Sequence, residues 1–169
     1  MNRYYISFGS NMDDPKRQIE KAIALLASKE GVRLGKISSF YRTPPWGNVN
    51  QADFLNGAVE IYTNLEPQEV LVMIQMIEKE GGRERIVHWG PRTIDLDLIY
   101  GEFVNELGES LGHIAVHLPN LDLPHPYFWD RAFVLVPLAE LNSEFTWQEQ
   151  AIKDRLKELD TTGIERIEQ

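Results

Sequence analysis

The sequence predicts an α+β fold in which helices pack on a mainly antiparallel β-sheet. Two segments with helical apolar spacing alternate with four segments of strand character, and the strand segments are residues 4–8, 33–42, 54–62 and 94–100. The order is therefore strand–helix–strand–strand–helix–strand, which is that of the split-βαβ, or ferredoxin-like, core. In such a core, two helices cover one face of the sheet.

The first strand is followed by a turn and an amphipathic helix. Residues 4–8 are aromatic and β-branched, and Gly9-Ser10-Asn11 is typical of a turn. Asp13-Asp14-Pro15 then supplies a capping Asp and a proline at the first helical position. The helix has one apolar stripe and ends at Glu30-Gly31; the stripe consists of Ile19, Ala22, Ile23 and Leu26.

The middle of the chain predicts two strands, a loop between them and a second helix. Residues 43–51 cannot be a central strand, because proline donates no hydrogen bond to a β-ladder. In residues 54–62, Leu55 and Val59 point to one face, and Asn56 and Ala58 point to the other. A helix begins near Pro67 and ends at Gly81-Gly82, with Val70, Leu71, Ile74 and Ile77 on its apolar side.

The last third of the chain has a weaker pattern. Residues 102–123 predict a hairpin and an irregular stretch, and residues 132–141 are apolar and short enough to be strand or helix. Residues 147–159 predict a helix, and the polar residues 160–169 predict a frayed tail. No composition shift marks a domain boundary, so we expect a single domain over residues 1–169.

Charge and composition exclude several classes of protein. The 169 residues are 43% hydrophobic, which suits one globular domain, and the net charge of −9 disfavours a nucleic-acid partner. The absence of cysteine excludes disulfides, thiolate zinc sites and cysteine nucleophiles. No apolar run approaches the ~18–20 residues that span a bilayer, and no signal peptide is recognisable. We therefore expect a cytoplasmic protein without a membrane partner.

Two carboxylates on one strand give the sharpest chemical signal. Strand periodicity puts Asp95 and Asp97 on one face and Ile94, Leu96 and Leu98 on the other. The two Cα atoms would be about 6.5–7 Å apart, close enough for the side chains to converge on Mg²⁺, which takes oxygen ligands and shares them with phosphates. An exposed edge-strand face is the commoner explanation of Asp-x-Asp alone, although Asp is depleted in strands.

A basic loop, residues 83–93, leads directly into this pair and favours a phosphate site. Guanidinium groups match phosphate oxygens bidentately. Surface ion pairs with Glu80 or Glu84 are the alternative, but such pairs contribute only about 0–1 kcal/mol. The basic side chains of the loop are Arg83, Arg85, His88 and Arg92.

Two other segments offer side chains to a ligand. In residues 43–51, Trp46 would stack on a flat ring or plug the loop onto the sheet, and Asn56 would bind a heterocycle edge or face water. His125 and Arg131 would bind phosphate, or be an ordinary loop histidine and an exposed arginine. A zinc clip by His113 and His117 is rejected, because no carboxylate completes it.

These motifs together resemble the hydroxymethyldihydropterin pyrophosphokinases of folate biosynthesis, and the matches span most of residues 4–141. The Trp-Gly-Pro-Arg-Thr-x-Asp-x-Asp run at residues 89–97 is highly specific. The other matching segments are Gly9-Ser10-Asn11, residues 39–45, Phe54-Leu55-Asn56, Gln75 with Glu78, Gly82-Arg83 with Arg85, Pro124-His125-Pro126 and Arg131-Ala132-Phe133.

The resemblance implies a ferredoxin-like core with long catalytic loops. It implies pyrophosphate transfer from ATP to the hydroxymethyl group of 6-hydroxymethyl-7,8-dihydropterin, giving AMP and the pterin diphosphate, with two Mg²⁺ ions and a free-standing monomer. The catalytic residues would be Arg83, Arg92, Asp95 and Asp97, of which Asp95 and Asp97 hold the metal. The ATP contacts would be Gln75, Glu78, Arg85, Arg92, Ile99, His125 and Arg131. The pterin contacts would be Thr43, Pro44, Trp46, Phe54, Asn56, Trp89 and Phe133.

Loops 43–51 and 83–93 are predicted to close over the substrates and exclude water. Deletion of residues 84–88 should then slow turnover more than it weakens binding of the first substrate.

The chain departs from the family in a longer segment between Tyr100 and Pro124. Further differences are Asn120 and Asp122, where some members have a basic residue and a hydroxyl, and Phe54, where some have Tyr.

Two other classes of function are weighed against this one. A non-catalytic nucleotide- or pterin-binding module would not need the full set of acidic and basic residues. A Mg²⁺-dependent phosphohydrolase or nucleotidyl-sugar transferase would explain Asp-x-Asp alone, without an aromatic pocket. The product separates these cases, because pyrophosphoryl transfer releases AMP.

Overall fold

The protein is a mixed α/β chain built on a mainly antiparallel sheet. The computed structural model describes residues 1–12, 14–45, 52–82 and 94–167. The strands are β1 (Asn2–Ser10), β2 (Val32–Ile37), β3 (Phe40–Thr43), β4 (Phe54–Thr63), β5 (Asp95–Val104), β6 (Ser110–His113), β7 (Val116–Leu118), β8 (Leu121–Leu123), β9 (Thr146–Trp147), β10 (Gln150–Ala151) and β11 (Glu165–Ile167). The helices are α1 (Pro15–Ser28), α2 (Pro67–Gly82), α3 (Ala132–Leu141) and α4 (Ile152–Glu158), with a 3₁₀ turn at Phe128–Asp130.

The main sheet has the strand order β11-β3-β4-β1-β5-β6, and β2 also pairs with β4. Every strand pair in it is antiparallel. The two long central neighbours of β1 are β4 and β5, which carry the predicted ligand-binding and metal-binding side chains. These side chains are consequently carried by the two strands that pair with β1 along nearly all of its length.

Each face of the sheet carries its own hydrophobic cluster. On the first face, α1 and α2 pack on β1, β4 and β5; Ile19, Ile74 and Ile6 are fully buried there. On the second face, α3 and α4 bury Tyr5 and Leu135 together with other aromatic and aliphatic side chains. The sheet is therefore covered on both sides, whereas the sequence predicted helices on one side only.

The predicted alternation of β4 and β5 is confirmed. Leu55 and Val59 belong to the first-face cluster and Ala58 to the second, while Ile94, Leu96 and Leu98 pack on the first face. A β-bulge at Ile99 then changes the phase of β5, because Tyr5 pairs with Tyr100 but Ile6 pairs with Leu98. Ile99 and Tyr100 consequently both pack into the second-face cluster.

The predicted turn at Gly9-Ser10-Asn11 is wrong for its first two residues, because β1 continues through Ser10 in register with β4. The predicted cap of α1 also differs. Asp14 occupies the N-cap with a φ of 55° and makes no side-chain capping hydrogen bond. Its backbone is left-handed instead of the extended conformation from which a capping Asp usually accepts from the first helical N–H groups. Asp13 lies outside the described residues.

The single strand predicted for residues 33–42 is two strands. Ser38 separates them: its N–H donates to the Ala58 carbonyl, and its hydroxyl accepts from the Ala58 N–H. This exchange interrupts the regular ladder and leaves a register shift between Leu34 and Ile37. A hydrogen bond from a distant strand therefore breaks an alternation that is locally continuous.

The predicted helix over residues 147–159 begins later, at Ile152. Residues 146–151 form a hairpin instead, turning at Gln148 and Glu149 with φ values of 49° and 67°. Trp147 packs edge-on against Tyr100 at 5.9 Å between ring centroids, which favours the hairpin over continuation of the helix. The pattern of residues 132–141 allowed either a strand or a helix, and they form the helix α3.

The C-terminal segment is also more ordered than its polar composition predicts. Residues 165–167 form β11, which pairs with β3, so the predicted frayed tail is wrong for them. Within 102–123, the predicted hairpin is confirmed, because β6 pairs with the end of β5. The stretch predicted to be irregular contains a second hairpin, of β7 and β8. Among the described residues, no helix is both long and apolar enough to cross a membrane.

Candidate active site

At the carboxylate pair, one edge of β5 has no partner among the strands that the structure describes. β5 pairs with β1 from Asp95 onward, but β6 joins its other edge only from Glu102. At this free edge, Glu78 of α2 accepts a hydrogen bond of 3.0 Å from the backbone N–H of Leu96. Leu96 is the residue between Asp95 and Asp97, so Glu78 fixes the backbone from which both carboxylates project.

A cavity of about 440 Å³ opens at this edge. It is bounded by α2, by the first half of β5 and by the hairpin of β7 and β8 with the proline-rich turn that follows. A volume of this size suits a nucleotide or another drug-sized ligand. Its lining residues are Leu71, Gln75, Glu78, Asp95, Leu96, Asp97, Leu98, Pro119, Asn120, Leu121, Asp122, His125 and Pro126.

His125 is held against β5 by its backbone and reaches the cavity with its ring. Its N–H donates to the Ile99 carbonyl at 2.8 Å, and its Nδ1 accepts from the Tyr127 N–H at 3.4 Å. Burial lowers the pKa of His125 and the charge of Arg131 adds to this effect, while Asp97 and Asp122 oppose it. The neutral ring with Nδ1 as acceptor carries its proton on Nε2, which is then a donor for a ligand.

Ile99 and Arg131 lie beside the cavity rather than in its lining. The Ile99 side chain is buried in the second-face cluster, and its carbonyl accepts from His125. Arg131 precedes α3, with its guanidinium carbon 5.7 Å from the Tyr127 ring centroid and 6.0 Å from that of Phe133. Contacts of these two side chains with ATP stay predictions.

A second group of predicted residues meets on the second face of the sheet. Thr43 and Asn56 are both buried, and the Asn56 amide donates a hydrogen bond to the Thr43 hydroxyl. Phe54 is paired with Thr43 across β3 and β4. Phe133 is half-buried on α3, which packs over β4 and β3. The structure thus brings Thr43, Phe54 and Asn56 together at one end of these strands.

Gly9 connects the two groups. It pairs with Asn56 on one side and with Asp95 on the other. Adjacent strands are about 4.8 Å apart, so the backbones of Asn56 and Asp95 are separated by about 10 Å. A Cβ at position 9 would collide with the Asn56 amide oxygen. The missing side chain therefore leaves room for the Asn56 amide beside Gly9, a role that sequence alone did not indicate.

The donor set fits Mg²⁺ better than zinc. The described residues contain no group of three or more His, Asp or Glu side chains arranged to hold a metal. Asp95 and Asp97 supply two carboxylates beside a ligand cavity, which suits a hard cation that completes its shell with phosphate and water oxygens. Several predicted site residues lie outside the described ranges and stay predictions; they are Trp46, Arg83, Arg85, His88, Trp89 and Arg92.

The chain is similar in sequence to a family of known enzymes. The sequence model of the 7,8-dihydro-6-hydroxymethylpterin-pyrophosphokinase (HPPK) family matches residues 5–143. The 2-amino-4-hydroxy-6-hydroxymethyldihydropteridine pyrophosphokinase of Methylorubrum extorquens is 40% identical over 168 residues, which cover 99% of this chain and 100% of that protein. The Bacillus subtilis protein of the same name is 44% identical over 140 residues, covering 83% and 78%.

Solved structures show the same fold at lower identity. A Plasmodium falciparum HPPK-DHPS triple mutant with SDX-DHP superposes with a TM-score of 0.67 at 18% identity. The match covers 93% of this chain and 44% of that one, so the chain spans less than half of the larger protein. At this identity the likeness supports the fold alone.

Proposed function

Because the chain belongs to the 7,8-dihydro-6-hydroxymethylpterin-pyrophosphokinase family, we propose that it transfers pyrophosphate from ATP to 6-hydroxymethyl-7,8-dihydropterin in folate biosynthesis. The observation that carries the proposal is the row of Asn56, Gly9 and Asp95 across β4, β1 and β5. It joins a buried amide, suited to a heterocycle edge, to a carboxylate pair beside a nucleotide-sized cavity. We also propose a ferredoxin-like core, since the sheet order supports it.

In the proposed complex, ATP occupies the cavity at the free edge of β5. Gln75 and Glu78 form the α2 side and the His125 ring forms the opposite side. The Nε2–H of neutral His125 would donate to ATP, and the phosphates would extend toward Asp97. Arg83, Arg85 and Arg92 are proposed as the phosphate-binding cations by position in the family motif.

Asp95 and Asp97 are proposed to hold two Mg²⁺ ions together with phosphate oxygens. When bound, the ions would neutralise charge on the transferring group and orient its phosphates. The protein's own contribution is to fix the carboxylates, through the hydrogen bond from the Leu96 N–H to Glu78. The expectations of a monomer and of a cytoplasmic location belong to the same proposal.

The pterin is proposed to lie on the second face, between Asn56 and Phe133. Its hydroxymethyl oxygen would face Asp95 and Asp97 across Gly9. That oxygen attacks the β-phosphorus of ATP, the bond between the β-phosphorus and the α,β-bridging oxygen breaks, and AMP leaves with the electron pair. The hydroxyl proton is released to solvent. In-line positioning and charge neutralisation supply the catalysis, without need for a strong base.

The test is AMP formation from ATP, Mg²⁺ and 6-hydroxymethyl-7,8-dihydropterin, compared between the wild type and Asp97→Ala. We expect pterin-dependent AMP formation whose rate falls by about 10²–10³-fold in the variant, the size of loss seen when charge stabilisation is removed. Asp154→Ala, an exposed carboxylate on α4, is the matched control and should retain activity.

The alternatives predict other results. Release of ADP or free phosphate without a pterin product would identify a phosphohydrolase. A folded wild-type protein that forms no AMP yet binds ATP and the pterin would be a binding module, and either result overturns the proposal.

A further inference from the structure

The segment that follows α4 joins the sheet beside the proposed pterin pocket. It lies beyond residue 143, where the family match ends. Its strand β11 pairs antiparallel with β3, placing Glu165, Arg166 and Ile167 opposite Arg42, Tyr41 and Phe40. The adjoining end of β3 is Thr43, which accepts the hydrogen bond from Asn56.

Pairing with β11 gives β3 a neighbouring strand on both of its edges. β3 has only four residues, and its other edge is paired with β4. Without β11 it would be an unprotected edge strand, whose free backbone groups favour fraying or pairing with other chains. The ion pair between Arg42 and Glu165, at 3.8 Å and largely exposed, adds little. Backbone pairing is therefore the main interaction between the segment and β3, the strand that ends at Thr43.

A second contact involves the next pocket residue. Gly163 has a φ of +86°, and a Cβ placed on it would lie 3.2 Å from both Cδ and Cγ of Pro44. The Gly163 backbone is thus packed directly on the proline ring. A side chain there would push the ring, since 3.2 Å is below ordinary van der Waals contact between carbon atoms.

From these two contacts we propose that residues 160–167 are a positioning segment of the pterin pocket. In this proposal, Gly163 fixes the position of the Pro44 ring, and β11 fixes the position of Thr43 through β3. The inference rests on the proposed function, because it assigns Pro44 and Thr43 to the pterin. It extends the pterin site to residues that the family match does not include, and it acts on the pterin rather than on ATP.

Gly163→Ala tests the contact with Pro44, and Gly31→Ala is the matched control. Gly31 has a similar φ of +76°, but its Cβ would have no neighbour within 4 Å. Both variants introduce left-handed strain, and only Gly163→Ala presses on the pocket. Gly31 precedes β2 at Val32, which pairs with Thr63, at the far end of β4 from Phe54.

The measurements are kcat, the KM for the pterin, the Kd for MgATP without pterin, and the melting temperature. We expect Gly163→Ala to raise the KM for the pterin about three- to tenfold, because displacements of a few tenths of an ångström cost less than the ~10²-fold of a 1 Å displacement. The Kd for MgATP should stay within about twofold in both variants, since the ATP cavity is not touched.

A variant lacking residues 164–169 separates the two contacts, because it removes β11 and keeps Gly163. We expect the same selective rise in the KM for the pterin. An unchanged KM for the pterin in both variants, or equal losses for pterin and MgATP, would overturn the inference and leave a purely structural role. Absence of AMP formation by the wild type would instead overturn the proposed function.

Discussion

Gly9 leaves the space into which the Asn56 side chain turns. The two residues are paired across β1 and β4, and a Cβ on Gly9 would overlap the Asn56 amide oxygen. The amide nitrogen is turned toward the Thr43 hydroxyl. The orientation of this buried amide is therefore fixed from both sides, by a hydrogen bond on one and by an absent side chain on the other.

Gly9→Ala should weaken the pterin interaction, because Asn56 must leave its position to avoid the new methyl group. We expect the KM for the pterin to rise about tenfold or more, in line with the cost of displacing a positioning group. The Kd for MgATP should hardly change. The measurement is steady-state AMP formation with each substrate varied.

A double-mutant cycle with Asn56→Ala identifies the route of this effect. If Gly9→Ala acts by displacing Asn56, it should add little to the loss caused by Asn56→Ala, because the clash has been removed. Additive losses would show instead that the methyl group acts on the site independently of Asn56.

Glu78 should support Mg²⁺ binding through the backbone of Leu96. Glu78→Ala leaves the Leu96 N–H without its carboxylate acceptor, so the carboxylates on either side should be less well held. We expect the Mg²⁺ concentration for half-maximal rate to rise about three- to tenfold, the effect of losing one typical hydrogen bond, ~1 kcal/mol. Glu78→Gln, which keeps an acceptor oxygen, should recover most of the loss.

Glu80→Ala is the control on the same helix, since Glu80 pairs with Lys29 at 3.5 Å and does not line the cavity. A rise in the KM for ATP at saturating Mg²⁺, with unchanged Mg²⁺ dependence, would contradict the backbone role. It would assign Glu78 to a direct contact with ATP.

Asp122 adds a further carboxylate to a cavity already lined by Glu78, Asp95 and Asp97. It is half-exposed and lies 3.3 Å from His117 Nδ1. Asp122→Asn should lower the Kd for MgATP by about two- to fivefold, because the Asp122 carboxylate repels the negative phosphates. Such interactions between exposed charges amount to up to ~1 kcal/mol. The difference should shrink as salt is raised.

Glu106→Gln, in the exposed turn between β5 and β6, makes the same change in net charge away from the cavity. Weaker MgATP binding by Asp122→Asn would oppose the repulsion argument. It would mean that the carboxylate accepts a hydrogen bond from ATP, as carboxylates do from ribose hydroxyls in other nucleotide folds.

The sequence predicted what depends on local periodicity. Alternation in residues 54–62 and 94–98 placed Asn56 and Asp97 opposite Val59 and Leu96 correctly, because a paired strand must put successive side chains on opposite faces. The chemical motifs around Asp95 and Asp97 were likewise readable, since residue type and spacing alone point to hard cations.

Structural features that depend on residues far apart in the chain could not be predicted from the sequence. The break between β2 and β3 depends on Ser38 meeting Ala58, and β11 forms only because β3 offers a free edge. The turn at Gln148 and Glu149 has positive φ without glycine or asparagine, so it gave no local signal. The roles of Gly9 and of Glu78 required the strand register and the placement of α2.

The side chain of Glu140 on α3 connects this helix to the start of β3, and we expect this connection to make stability depend on pH. Glu140 accepts hydrogen bonds from the N–H and hydroxyl of Ser39 and from the Tyr41 hydroxyl. Partial burial raises the pKa of Glu140, but the bonds from Tyr41 and Ser39 outweigh it, so the pKa lies below its ordinary 4.5. Its contribution to stability is therefore present above about pH 4.5 and lost as pH falls through the lower, folded value.

Glu140→Gln should lower the melting temperature at pH 7 by about 2 °C, because exposed charged contacts contribute up to ~1 kcal/mol, and 1 kcal/mol corresponds to about 2–4 °C in a chain of this length. The deficit should narrow below about pH 4.5, where the Glu140 carboxylate of the unfolded chain protonates, and disappear as pH falls through the lower pKa of the folded state. Melting curves from pH 7 to pH 3.5 measure this, with Glu144→Gln as an exposed control. A difference in melting temperature that stays constant down to pH 3.5 would contradict this. It would show that the amide of the variant disturbs the packing by its geometry, and that the charge of Glu140 does not connect α3 to β3.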